Sequence, residues 1–317
     1  MRTARSTSPR VWFVTGAGRG LGRAFAEAAL EAGDRVVGTV RRPDALADLV
    51  DRHPNSLAAL PLDVRDRAAV ISSVEQAVER FGHLDVVVNN AGYGMVGAIE
   101  EVSEVEAREI LDTDLLGAVW VTQAVVPHLR ARGSGHIVQI STSGGVGAMP
   151  TFGMYNAAKW ALEGFSEALA GEVAPFGIRV TIAELGGFAT DWAGSSMRFA
   201  TPVPAYDPLR TSLFGSPVVP WKVPDPVAAA GDAGAARGAD ESPTESEPGP
   251  EVAAAALLAH VDRDHGPLRL LVGDDVPGHV ALALAARRDD YERDPRFAWP
   301  APSPERNPQS VPAGADM

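Results

Sequence analysis

The chain has 317 residues, 45% of them hydrophobic, and sets 28 Lys and Arg against 41 Asp and Glu for a formal net charge of -13. That length fits one large domain or two small ones with a sizeable core, and the acidic balance argues against a nucleic-acid partner, which needs clustered basic side chains. With no cysteine there is neither a disulfide framework nor thiolate chemistry, and the seven histidines show no H-x-x-x-H spacing, so no metal site is expected.

Residues 1–10 form a polar N-terminal extension that leads into VWFVTG without the long apolar stretch of a signal peptide or membrane span. The expectation is a cytoplasmic protein with no membrane partner. From residue 11 onward, short runs rich in Val and Ile alternate with helical patterns. Strands are predicted at 11–15, 35–40, 57–62, 84–89, 136–140, 179–183 and 268–272, and helices at 21–32, 44–52, 68–80, 104–130, 155–174 and 250–260. Such alternation predicts an α/β fold: a doubly wound, Rossmann-type parallel sheet of about seven strands in a single domain over 11–292.

Three segments break the rhythm. Residues 186–226 lack periodicity but hold many Pro, Gly and aromatic residues, which predicts a long substrate loop over a site. Residues 231–250, GDAGAARGADESPTESEPGP, are too poor in apolar side chains to order themselves, which predicts a disordered acidic insertion. Residues 293–317 are a Pro-rich tail, expected to be extended.

Between the first predicted strand and helix the chain reads VTGAGRGLGRAF. Gly16, Gly20 and Gly22 allow a tight turn that brings backbone close to a pyrophosphate, which would rest on the N–H groups at the helix start. After the second strand stand Arg41 and Arg42, where an acidic residue would grip a free ribose 2′-hydroxyl. Together with Arg19 in the glycine loop they point to a 2′-phosphate and so to NADP(H); the alternative is a solvated basic edge.

The stretch STSGGVGAMPTFGMYNAAKW holds the second chemical signal. Tyr155 and Lys159 are four apart and share one helix face, so both can point into the same cleft. Lysine occurs only at Lys159 and Lys222, in a chain whose other basic residues are all Arg. A free Tyr titrates near ~10, and a neighbouring ammonium favours its phenolate. Around these residues Met149, Phe152, Met154, Phe188, Trp192, Met197 and Phe199 suggest an apolar substrate pocket, with Ser143, Phe152, Phe188 and Trp192 as candidate contacts.

Thr15 to Gly22 fit T-G-x-x-x-G-x-G; LDV at 62–64, NNAG at 89–92 and Y-x-x-x-K at 155–159 follow in order. This ordered set, from about residue 11 to 191, resembles the short-chain dehydrogenase/reductase family, most closely its NADP-preferring members similar to 17β-hydroxysteroid dehydrogenases and bacterial ketoreductases. The resemblance implies cofactor contacts from Thr15, Gly16, Arg19, Gly20, Leu21, Gly22 and Arg41. It implies adenine contacts from Asp63 and Val64, an adenosine side lined by Asn90, Ala91 and Gly92, and a carboxamide contact from Thr190. It casts Tyr155 as general acid in reduction and base in oxidation, with Lys159 holding the nicotinamide ribose and lowering the Tyr pKa. It also implies a homo-dimer or homo-tetramer built on the helices at 104–130 and 155–174.

The sequence departs from the family pattern at three points. The catalytic Ser of the family falls thirteen residues before the Tyr, at Thr142; a one-residue slip of the loop would present Ser143 instead. The Asn of the family's proton relay is Asp114, which either faces the relay beside Lys159 or turns away to bond a backbone N–H. The Pro of the turn after the sixth strand is Leu185. The resulting expectation is an NADP(H)-dependent oxidoreductase acting on a small apolar carbonyl or alcohol through Tyr155, Lys159, Thr142 and Asp114. Its rivals are a dinucleotide-binding sensor without turnover and an isomerase or dehydratase on the same fold.

Overall fold

In the computed structural model, residues 8–190, 192, 196–221 and 247–300 are described. Nine strands occur among them: β1 Val11–Thr15, β2 Arg35–Val40, β3 Leu57–Pro61, β4 Val86–Asn89, β5 Met95–Val96, β6 Gly135–Thr142, β7 Ile178–Leu185, β8 Arg198–Phe199 and β9 Arg269–Val272. Seven pair in the order β3-β2-β1-β4-β6-β7-β9, every pair parallel. The order reverses between β1 and β4, which opens a crevice at the C-terminal ends of the strands, where such sheets bind ligands.

The helices are α1 Gly20–Glu31, α2 Ala47–Arg52, α3 Arg67–Phe81, α4 Glu104–Leu111, α5 Gly117–Arg132, α6 Gly153–Val173, α7 Asp207–Phe214, α8 Pro250–Val261 and α9 Val276–Tyr291. They cover the sheet on both faces. In β1, Trp12 and Val14 pack towards α1 and α8, while Val11 and Phe13 pack towards α3, α5 and α6, as the two-residue period of a strand requires. Burial on both faces explains why the central strands are continuous apolar runs. No helix among the described residues is long and apolar enough to cross a membrane.

The seven-stranded sheet agrees with the sequence expectation, and four details do not. The single helix expected at 104–130 is split into α4 and α5 by a π turn, Asp112–Leu116. The stretch expected to be an irregular loop contains β8, a 3-10 turn at Pro204–Tyr206 and α7, whose end is set by Gly215 at φ 73. Helix α9 had no apolar stripe to betray it, since Val276 is its one buried residue. The tail begins with turns rather than an extended run, and Phe297 stacks on Tyr291 at 5.4 Å. The insertion expected at 231–250 lies outside the described residues except for 247–250, and residues 301–317 lie outside them too.

Candidate active site

The crevice begins where β1 hands the chain to α1. Gly16 and Gly20 have φ of +66° and +52°, a left-handed backbone that strains other residues. A Cβ on Gly22 would lie 2.4 Å from the Gly16 carbonyl oxygen and 2.4 Å from Asn90 Nδ2, so only glycine lets α1 start this close to the loop. The first turn of α1 holds no acidic side chain, and its helix start favours an anion. Leu21 packs against the core behind it.

Thr15 and Asn90 brace this cradle. Thr15 Oγ1 accepts the N–H groups of Asn90 (2.9 Å) and Ala91 (3.0 Å) and donates to the Val88 carbonyl. Asn90 Nδ2 donates to the carbonyls of Thr15 (2.9 Å) and Gly16 (3.3 Å). Thr190 stands across from the start of α1: a Cβ on Gly20 would come 3.6 Å from its Cβ. Buried Val64 fills the space left by Gly117. Asp63 is held below the usual carboxylate range, first by its hydrogen bonds from Arg65 and more weakly by the charge of Arg41, which is exposed just beyond β2.

On the other side of the switch point stand β6 and α6. The chain enters α6 through Thr151, a β-branched residue at φ 69°, held by a 2.7 Å hydrogen bond from the Gly97 N–H to its carbonyl. Tyr155 and Lys159 then lie one turn apart, both buried. Lys159 Nζ donates to the Ile140 carbonyl at 3.1 Å and pairs with Asp114 Oδ2 at 3.3 Å. Asp114 is delivered by the π turn, and its Oδ1 accepts the Tyr93 N–H at 3.0 Å. Both placements expected for Asp114 are therefore realised at once, one oxygen on a backbone N–H and the other on the ammonium. Gly92 makes room: a Cβ there would lie 2.8 Å from Asp114 Oδ2.

Among the three successive hydroxyl residues, Thr142 is the one whose hydroxyl faces Tyr155 closely enough to lower its pKa. Ser143 opens the following 3-10 turn, with its carbonyl accepting the N–H groups of Val146 and Gly147, both at 3.0 Å. Ser141 points to the opposite side, towards Glu163. Burial raises the Tyr155 pKa well above its ordinary value, the Asp114 charge raises it further, and the Thr142 hydroxyl opposes both. The Lys159 ammonium, expected to lower the Tyr155 pKa, is itself paired with Asp114 and donates to the Ile140 carbonyl. Asp114 is itself shifted upward by burial, against Lys159 and the Tyr93 N–H.

An apolar wall closes over Tyr155. Trp192 sits 5.5 Å from its ring and Phe152 6.4 Å, with Trp221 a further 6.1 Å from Phe152. Met95, Val96, Ile110, Met197 and Ala200 complete the buried part of the cluster. Phe188 does not belong to it. It packs into the opposite core layer with residues of α1 and α8, because the chain leaving β7 turns to that face. The segment carrying Met197 is fastened by β8, which pairs in parallel with β5, and by the Arg198–Glu109 ion pair. A buried Arg210–Glu101 pair at 2.5 Å ties α7 to the segment after β5. Sequence reading missed these clamps and the buried Glu163 and Glu184, all of which depend on long-range pairing. An acidic residue one turn beyond Lys159 on the same face was the one local sign of Glu163.

Residues 10–199 match the family model of short chain dehydrogenases. The sequence is 39% identical to the oxidoreductase BOA17 of Botryotinia fuckeliana over 291 residues, 89% of this chain and 96% of that protein. It is 38% identical over 182 residues to a 3-ketodihydrosphingosine reductase of Bacteroides thetaiotaomicron, 57% of this chain and 65% of the relative. A crystal structure of a short-chain dehydrogenase from Streptomyces avermitilis matches with a TM-score of 0.76 at 38% identity, covering 91% of this chain and 96% of the other. Fold and site define an oxidoreductase of the doubly wound α/β class. The chain belongs to the short-chain dehydrogenase/reductase family.

Proposed function

We propose that this protein is an NADP(H)-dependent oxidoreductase that moves a hydride between nicotinamide and the carbonyl or secondary alcohol carbon of an apolar substrate. The observation that carries this reading is the Tyr155 hydroxyl, facing Thr142 beneath an apolar wall and one helical turn from Lys159. The neighbouring cradle suits a dinucleotide, since left-handed turns at Gly16 and Gly20 bring backbone and the start of α1 to one place where a phosphate can rest. Arg41, with Arg19, supplies the positive charge that a 2′-phosphate requires.

When bound, the reduced nicotinamide supplies the hydride for the carbonyl carbon. Thr142 donates a hydrogen bond to the substrate oxygen and fixes its position. Tyr155 transfers its proton to that oxygen as negative charge develops there. Its raised proton affinity keeps it loaded as an acid at neutral pH, which suits reduction. Lys159 has three N–H donors; Ile140 and Asp114 take two, leaving one for a ribose hydroxyl. Trp192 and Phe152 exclude water and favour a ring-bearing or long-chained substrate. A cytoplasmic location and a homo-dimer or homo-tetramer belong to the same proposal.

The test is turnover. Protein mixed with NADPH and a panel of apolar ketones and quinones should consume the cofactor absorbance with at least one of them. A spectral shift on binding without consumption across the panel would mark a sensor instead. Product formed with no net change in NADPH would mark an isomerase or dehydratase.

A further inference from the structure

Behind the reactive residues lies a second set of buried charges. Glu163 is one turn beyond Lys159 on α6, and Glu184 on β7 is the register partner of Ser141, the residue before Thr142. Glu163 is 6% exposed and Glu184 0%. Both face one guanidinium, since Arg269 Nε on β9 lies 3.3 Å from Glu163 Oε2 and 3.3 Å from Glu184 Oε1. Its Nη2 is engaged by exposed Glu167 at 2.9 Å. From β6 the buried, neutral Ser141 hydroxyl meets Glu163. Gly145 leaves the room for this contact: a Cβ there would lie 2.7 Å from Ser141 Oγ and 3.1 Å from Glu163 Oε1.

Three carboxylates to one guanidinium leave this pocket with excess negative charge. Two carboxyls that share a buried site cannot both ionise easily, so one keeps a proton. Burial, and then the charge of Glu163, push Glu184 up to about 7, and burial raises Glu163 as well. We propose that Glu163 and Glu184 share one proton, and that this proton clasps α6 to the β6–β7 edge, making the two acids positioning residues for Tyr155, Lys159 and Thr142. Loss of the proton sets like charges on α6 and β7 against each other, with only half-exposed Arg269 to offset them. α6 carries the proton donor, and β6, which β7 pairs, ends in Thr142, the hydroxyl that orients the substrate; a shift of about 1 Å in such groups costs on the order of 10²-fold in rate. The phosphate cradle lies on β1 and β4 and should feel the change least, the ribose contact of Lys159 being the one cofactor contact on α6. The kinetic half of this inference rests on the functional reading above; the shared proton does not.

The test compares the unmodified protein with Glu184→Gln and Glu163→Gln, which keep the side-chain size and remove the titration. The pair binds its proton more tightly folded than unfolded, where a Glu titrates near ~4.3. Its stabilisation is therefore complete below that value and is lost as pH rises through about 7. Melting temperature followed from about pH 5 to 9 should fall more steeply in the unmodified protein than in either variant. In parallel, kcat for ketone reduction should fall at least tenfold across the same range in the unmodified protein, with Kd for NADPH changing by much less than kcat. Glu184→Gln should hold its kcat.

Equal slopes of melting temperature in all three proteins would overturn the shared proton. Separated slopes with identical kcat profiles would overturn the positioning role. Separated slopes with no turnover in any protein would show that the functional reading fails while the shared proton stands. If the variants do not fold, the infrared carbonyl band of a buried protonated carboxyl decides. It should be present in the unmodified protein at about pH 6 and gone by about pH 9, and its absence at the lower pH would overturn the inference.

Discussion

On the cradle side of the crevice, between β1 and α1, shape is set by backbone. Left-handed glycines turn the chain, the missing Cβ of Gly22 admits the helix, and Thr15 and Asn90 brace the loop with neutral hydrogen bonds. On the catalytic side, at β6, β7 and α6, shape is set by charge. Asp114 on the π turn, Lys159 and Glu163 on α6 and Glu184 on β7 are all buried. A steric site breaks when an atom is added and ignores pH, whereas an electrostatic site breaks when a charge is changed and follows pH closely. Each half should therefore fail in its own way.

The largest effect is expected at the proton donor. Tyr155→Phe keeps the ring against Trp192 and deletes the proton, so ketone reduction should slow at least ~100-fold while NADPH binding stays normal. Normal turnover would mean that another acid serves. Next, Gly22→Ala places a Cβ against the Gly16 carbonyl, an atom of the backbone that cannot swing away. Overpacking of this kind costs about 1–3 kcal/mol. NADPH affinity and melting temperature should both fall, while the pH dependence of kcat stays as it was. A pH profile that moves with this substitution would erase the contrast between the halves.

A smaller effect should separate the cofactors. A 2′-phosphate beside Arg41 gains a charge-assisted hydrogen bond of roughly 1.5–3 kcal/mol. NADPH should bind at least ~10-fold more tightly than NADH, and Arg41→Asp should invert that order. Equal affinities in the unmodified protein would leave Arg41 as a solvated edge.

The cradle side was legible in the sequence because its signals are local. A strand, three glycines and a helix follow one another within 11–31, and of the catalytic side only the Y-x-x-x-K pair, four apart on one helix face, is as local. The catalytic side was legible only in part. That Glu184 lies across from Ser141, or that Arg269 reaches both Glu163 and Glu184, depends on strand register and on residues more than eighty apart. The same limit hid how deeply Tyr155 is buried, which is the first cause of its raised pKa, with the Asp114 charge adding to it. Phe188 was grouped with the pocket by nearness in sequence, and the turn after β7 sends it to the other layer. Helix α9 offered no periodicity because it buries almost nothing.

The smallest expected change bears most directly on the claim that buried charge governs the catalytic side. Asp114 disfavours the Tyr155 phenolate by its own charge and by engaging the ammonium 5.8 Å from the ring. Asp114→Asn removes both effects, which act in the same direction, and should leave the enzyme active. The measurement is log kcat/KM for alcohol oxidation, which needs the phenolate, followed against pH in the unmodified protein and in Asp114→Asn. The apparent pKa governing oxidation should fall by about one unit or more in the variant. An unmoved or raised pKa would contradict the account.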